Sequence, residues 1–151
     1  MACAELKEFL DRNQVKYISI KHSPAFTMQE IAAAAHIPGQ EVAKTVIVKL
    51  DGKLAMVVLP APDMVRMNQL KAATGAREAE LASEVEFKDR FPDCEVGAMP
   101  PFGNLYDMDT YVAESLAGDH DIAFNAGTHT ELYRMAFDDF RQLVQPKVLR
   151  T

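Results

Sequence analysis

Cysteine is scarce. Cys3 and Cys94 are the only two in 151 residues, and no C-x-x-C pair exists. There is therefore no disulfide framework, a reducing compartment is the simple reading, and no bond between Cys3 and Cys94 is expected. The 4 histidines, His22, His36, His120 and His129, show no H-x-x-x-H or H-E-x-x-H spacing, so no metal is expected at the active centre. No G-x-S-x-G elbow supports a serine hydrolase, and no G-x-x-x-x-G-K-[ST] loop supports nucleotide binding. No run approaches the roughly 20 apolar residues of a membrane span. The first ten residues carry Glu5, Lys7 and Glu8 and lack the apolar core of a signal peptide. A soluble cytoplasmic protein without membrane partner or cofactor is the expectation. Basic residues are also in deficit, 16 Lys and Arg against 22 Asp and Glu, for a net charge of -6. Such a chain is a poor generic binder of nucleic acid, and DNA is not an expected partner. Any RNA contact must use a local basic patch or a partner's affinity.

What is present is enough for one domain with a real core: 48% of residues are hydrophobic and 25% charged. Leu6, Phe9 and Leu10 stand at helical spacing, which predicts an amphipathic helix over residues 2–13. Tyr17, Ile18 and Ile20 predict a short strand. Thr27 to Glu30 has the form of a capping box and opens a helix over 28–36, which Pro38-Gly39 ends. Residues 42–50 are β-branched and apolar, Asp51-Gly52 is a hairpin signal, and 53–59 return. Val57 to Leu59 read as strand buried on both faces. Residues 67–74 predict a helix capped by Gly75. Residues 77–81 predict a short strand. Ser83 to Glu86 is a second capping box, opening a helix to about Phe91. Residues 105–112 are strand-like but broken by Asp107 and Asp109. Strands are expected at 122–125 and 131–135, with a last helix marked by Phe137, Phe140, Leu143 and Val144. No repeat or linker interrupts this order. Helices interspersed with strands and a hairpin argue for a mixed sheet in an α/β or α+β domain.

Three places carry candidate chemistry. Gly97-Ala98-Met99-Pro100-Pro101-Phe102-Gly103 cannot be interior helix or central strand, yet it holds two large apolar side chains. Such a loop is either a plug for the end of a core or a binding wall, with the N–H groups of Ala98 and Met99 offered to an oxyanion or carbonyl. Lys44 interrupts a strand face otherwise made of Val42, Val46 and Val48. It is either a snorkelling edge lysine or a ligand for a phosphate. His129, in Asn125-Ala126-Gly127-Thr128-His129-Thr130, sits beside a glycine that lets the chain bend toward a pocket; the alternative is a surface bulge. His22, before Ser23-Pro24, fits a turn as well as a site. The acids Glu78, Glu80, Glu84 and Glu86 read as a solvated face, and the methionines as core filler.

Ala43-Lys44-Thr45 opening a long strand, then Gly97-x-x-x-Pro101-Phe102-Gly103, then Phe124 to His129, resembles the YbaK/prolyl-tRNA-synthetase-associated domain family over about residues 4–145. The resemblance implies a single α/β (α+β) domain with a mixed, barrel-like sheet surrounded by helices. It implies a freestanding trans-editing hydrolase that cleaves the ester of mischarged tRNA, often tRNA for proline carrying alanine or cysteine. The implied partners are the aminoacyl-tRNA acceptor end and a synthetase. In family mechanisms water attacks, or in some members a thiol of the substrate, with help from a ribose hydroxyl. Lys44 matches the family's motif lysine. With it, Gly97, Ala98 and Met99 are expected at the reacting ester. His22, Thr27, Thr45, Pro101, Phe102, Gly103, Asn125, Gly127, Thr128 and His129 are expected around the substrate. The sequence departs from the family where Pro100, which has no N–H, stands beside Pro101, and where Met99 makes a bulkier wall. A reading from another class is a binding module that holds a tRNA end or small ligand, or docks on a synthetase, without hydrolysis.

Overall fold

The computed structural model describes residues 4–22, 41–92, 94–95, 97–118 and 120–149. The helix expected over 28–36, with Thr27, and the N-terminal Cys3 lie outside the described residues. Helix α1 (Ala4–Arg12) lays Leu6 and Leu10, both fully buried, and part of Phe9 onto the core, as the spacing requires. Its outer face carries a Lys7–Asp11 pair at 2.9 Å.

The strands are β1 (Tyr17–Lys21), β2 (Val42–Leu50), β3 (Lys53–Pro60), β4 (Ala79–Leu81), β5 (Asp109–Ala113), β6 (Asp121–Asn125), β7 (Glu131–Ala136) and β8 (Lys147–Leu149). They form one mixed sheet in the order β1-β7-β6-β2-β3-β5-β8, with β4 added to β2. The hairpin β2–β3 runs in register from Ala43↔Pro60 to Leu50↔Lys53. Three pairings, β2 with β6, β3 with β5 and β5 with β8, are parallel. Helix α2 (Met67–Thr74) ends at Gly75, whose N–H donates to the Lys71 carbonyl. Helix α3 (Glu84–Phe87) opens on the expected capping box, with the Ser83 N–H donating to Glu86 Oε1 at 2.9 Å. It then tightens into a 3-10 turn over Lys88–Arg90 instead of continuing as α-helix. Helices α4 (Glu114–Ala117) and α5 (Phe137–Val144) complete the described elements.

Two side-chain layers follow from strand alternation. Ala43 and Ile47 of β2, with Met56 and Val58 of β3, join the larger core with Phe102, Phe124, Tyr133 and Phe140. Val48, Val57 and Leu59 face the other way, into a smaller cluster with Leu70 and Tyr111. This is why residues 57–59 read as a continuous apolar run: β3 is buried on both faces.

Residues 105–112 are broken at Asp107 as expected, but Asp109 opens the strand and does not interrupt it. Gly103–Leu105 form a 3-10 turn, and the Gly103 carbonyl accepts from the N–H groups of both Tyr106 and Met108, each at 2.9 Å. Asp107 takes φ 56°, and the strand begins only at Asp109. No helix among the described residues is long and apolar enough to cross a membrane.

Candidate functional site

The site is organised by where β2 and β6 separate. Their parallel pairing covers only Val42↔Ala123 and Ala43↔Phe124. Because β3 occupies the whole of one edge of β2, β6 and β4 must share the other, β6 at its start and β4 at 48–50. The next residues along the two strands are Lys44 and Asn125, at the point where the sheet splits. Lys44 lies on the Val46 and Val48 side of β2, opposite Thr45, which shares a face with Ala43 and Ile47. Partial burial lowers the Lys44 pKa from its ordinary value; the charge of Asp63 pulls the other way. Asp63 is held just past β3 by its N–H to the Pro60 carbonyl, 2.9 Å.

At the end of β6 the chain turns through 126–130 and comes back as β7. The expected loop docks on this turn by two backbone hydrogen bonds. The Glu95 N–H donates to the Gly127 carbonyl at 2.8 Å, and the Gly127 N–H donates to the Ala98 carbonyl at 3.0 Å. This clamp needs both glycines to bend the wrong way for an L side chain: Gly97 has φ 86° and Gly127 φ 96°. A Cβ at Gly97 would stand 3.5 Å from His129 Cε1, so the imidazole lies directly over the glycine. His129 is 8% exposed, and its Nε2 is 3.9 Å from Glu95 Oε2. Thr128 is buried, its hydroxyl 3.3 Å from that of Thr130. The end of β1 joins the same place, where the His22 N–H donates to the Thr130 carbonyl at 2.9 Å.

Glu95, Ala98, Gly127, Thr130 and His22 are thus brought together by backbone bonds, and Lys44 and Asn125 follow the last paired residues of β2 and β6. The loop's apolar side chains are another matter. Met99 is 5% exposed and Phe102 fully buried, both in the larger core. Phe102 packs edge-on against Phe9, Phe124 and Phe140, with ring centroids 5.3–6.2 Å apart. Its ring supports the loop from beneath rather than lining a pocket. Pro101 and Gly103 are buried with it. Thr45 faces away from Lys44, so strand alternation separates those two. The loop expected as either a plug or a binding wall turns Met99 and Phe102 into the larger core, and residues 98–103 are all buried.

The loop's N–H groups have different fates. The Ala98 N–H is taken by the Glu95 carbonyl at 3.0 Å. The Gly97 N–H meets the Met99 sulfur, a weak acceptor, at 3.2 Å. The Met99 N–H has no acceptor among the described residues, and Pro100 and Pro101 have none to offer. The donor expected from Ala98 is therefore spent inside the turn. Glu95 is the residue that reading the sequence passed over. Only its position two residues before Gly97 could have drawn notice. Among the described residues no group of three His, Cys, Asp or Glu side chains is placed to hold a metal.

Fold and site together describe a small mixed α+β domain in which a loop is clamped by backbone hydrogen bonds to the turn after β6, beside the end of a parallel strand pair. The chain belongs to the aminoacyl-tRNA editing domain family, whose model matches residues 22–143. Membership supports a deacylase type of function. The chain is 30% identical over 96 residues to the proline–tRNA ligase of Bacillus mycoides (strain KBAB4), and likewise to that of Bacillus cereus (strain AH187). These alignments cover 64% of this chain and 16% of each ligase, so the chain spans only a small part of those relatives. Among solved structures, a hypothetical protein superposes with TM-score 0.85 at 20% identity, covering 95% of this chain and 96% of that one. A candidate trans-editing enzyme for prolyl tRNA synthetase superposes with TM-score 0.80 at 17% identity, covering 95% and 92%. Both likenesses bear on the fold.

Proposed function

We propose that this protein hydrolyses the ester of a mischarged tRNA, and that the backbone of the Gly97–Met99 turn polarises the scissile carbonyl. The observation that carries this reading is the clamp that ties Glu95 and Ala98 to Gly127. It fixes a turn whose Met99 N–H has no acceptor among the described residues, beside a buried His129, with Lys44 on the strand next to β6. Hydrolysis of an ester builds negative charge on the carbonyl oxygen. A fixed N–H stabilises that charge without reorganising, and a rigid turn over an aromatic cluster supplies such rigidity. In the proposed step, water forms a bond to the carbonyl carbon and the bond to the ribose oxygen breaks. The water's protons end on the ribose hydroxyl and in solvent, leaving free amino acid and intact tRNA.

The roles of the side chains follow from their chemistry. Lys44 holds a phosphate or ribose oxygen of the tRNA end, since a partly buried ammonium gains most from an anionic partner. Asn125, Thr128, His129 and His22 line the aminoacyl side, where short polar groups orient the ester. Alanine or cysteine, the charges the family resemblance implies, are the proposed amino acids, and the editing-domain family and the proline–tRNA ligase relatives support a tRNA for proline as the carrier. They also support a prolyl-tRNA synthetase as working partner, which would supply tRNA affinity that a chain of net charge -6 lacks. The same composition supports a cytoplasmic location, and the fold supports residues 1–151 acting as one domain. The test is deacylation of a panel of tRNAs charged with each amino acid. Release of alanine or cysteine from tRNA for proline well above the uncatalysed rate is the expected result. A panel with no release would leave a binding module and remove the hydrolase.

A further inference from the structure

The structure assigns to Glu95 a specificity role: its carboxylate is the seat for the free α-ammonium of the aminoacyl group. The inference rests on the deacylase reading and adds to it the group that tells an aminoacyl ester from other esters. Three observations carry it. First, Glu95 is held by its own backbone on both sides. Its N–H donates to the Gly127 carbonyl at 2.8 Å, and its carbonyl accepts from Ala98 at 3.0 Å. Both bonds fix the backbone from which the carboxylate projects, which lowers the entropy lost on binding a cation. Second, the side chain is 51% exposed while its surroundings, Ala98, Met99, Thr128 and His129, are each 8% exposed or less. A carboxylate at the rim of a dry wall keeps its charge in water and still faces the ligand. Third, the carboxylate is not saturated. Its contact to His129 Nε2 is 3.9 Å, too long for a hydrogen bond, and it accepts no hydrogen bond from any described residue.

The chemistry of the substrate fits that position. An aminoacyl ester carries an amine one carbon from the carbonyl, and an α-amine is largely protonated at neutral pH. A carbonyl resting on the Met99 N–H keeps its ammonium at the turn that Glu95 closes. Glu95 lies four residues before Met99, its carbonyl bonded across the turn between them. Lys44 and Glu95 then serve the two opposite charges of one substrate, phosphate at one end and ammonium at the other. A lactyl ester, in which a hydroxyl replaces the ammonium at almost the same size, loses the Glu95 contact alone.

The test compares alanyl-tRNA with lactyl-tRNA on the full chain, wild type and Glu95→Gln, each read as kcat/KM. The Glu95→Gln variant keeps both backbone bonds and the side-chain length, and thermal melting checks its fold. Comparing the alanyl-to-lactyl ratio between the two proteins cancels the difference in intrinsic ester lability. The expected result is a ratio that falls about 10- to 100-fold in Glu95→Gln, the range for a charged hydrogen bond, with lactyl-tRNA cleaved about equally by both proteins. Glu95→Asp should retain part of the preference. A ratio unchanged by Glu95→Gln, or equal loss on both substrates, overturns the assignment and leaves the deacylase reading standing. Cleavage of neither ester by wild type overturns both.

Discussion

Gly97→Ala tests the turn at its most constrained point. Gly97 has φ 86°, and an added methyl would meet His129 Cε1 at 3.5 Å, an ordinary contact. The substitution therefore costs backbone strain and not a clash. Holding an L residue in left-handed backbone costs about 1–2 kcal/mol. For a chain of this size each kcal/mol lowers the melting temperature by about 2–4 °C, so the variant should melt about 2–8 °C below wild type. Relief of that strain can only come by rotating the peptide on either side. The Ala98 N–H and carbonyl are tied to Glu95 and Gly127 at 3.0 Å each, so rotation moves the Met99 N–H with them. Loss of one oxyanion donor costs about 2.7–4 kcal/mol, or about 10²–10³ in kcat. The assay is single-turnover deacylation beside a thermal melt. A variant that melts like wild type would show that the clamp does not enforce this backbone. A variant that melts lower but keeps its kcat would show that the Met99 N–H does no work on the transition state.

Gly103→Ala should be worse for stability. Its Cβ would run into the Thr110 hydroxyl, which accepts from the Gly103 N–H, and into the Met108 backbone carbonyl, at a cost of about 1–3 kcal/mol or more, read by denaturant melts. Met99→Ala removes a core side chain and should lose about 2–5 kcal/mol, whereas Met99→Leu keeps the volume and should lose less than about 1.5 kcal/mol in the same melts. Glu86 is held down to about 2, first by its bond to Lys49 and then by the Ser83 N–H and hydroxyl. A depressed carboxylate adds stability above its unfolded value of 4.5 that is lost as pH falls toward 2. Stability measured across that window should fall in wild type and vary less in Glu86→Gln, and salt should shrink the difference because the pair is exposed.

Much of this was legible because the decisive signals are local. Leu6, Phe9 and Leu10 named the buried face of α1. Asp51-Gly52 named the hairpin, and Ser83 with Glu86 named the start of α3. The oddity of Lys44 among Val42, Val46 and Val48 was visible from alternation alone. What escaped depends on backbone bonds inside turns and on pairings distant in sequence. Residues 105–108 are apolar enough for a strand, but Gly103 draws two N–H groups onto one carbonyl and turns them aside. Strand β8 is three residues with no period of its own; it exists because β5 offers an open parallel edge. Ala98 looked like a donor because nothing nearby in sequence showed the Glu95 carbonyl folding back on it. Glu95 looked like one more surface acid, since only its pairing with Gly127 fixes it at the site.

Lys44→Ala in single-turnover deacylation tests the central claim most directly, with tRNA for proline charged with alanine or cysteine and a thermal melt run beside it. Burial already disfavours the Lys44 ammonium, so its removal should leave the melting temperature unchanged or raised. The account expects a folded variant whose deacylation falls by about 10- to 100-fold, the worth of a charged hydrogen bond to the tRNA end. A folded Lys44→Ala protein that releases the amino acid as fast as wild type would contradict it.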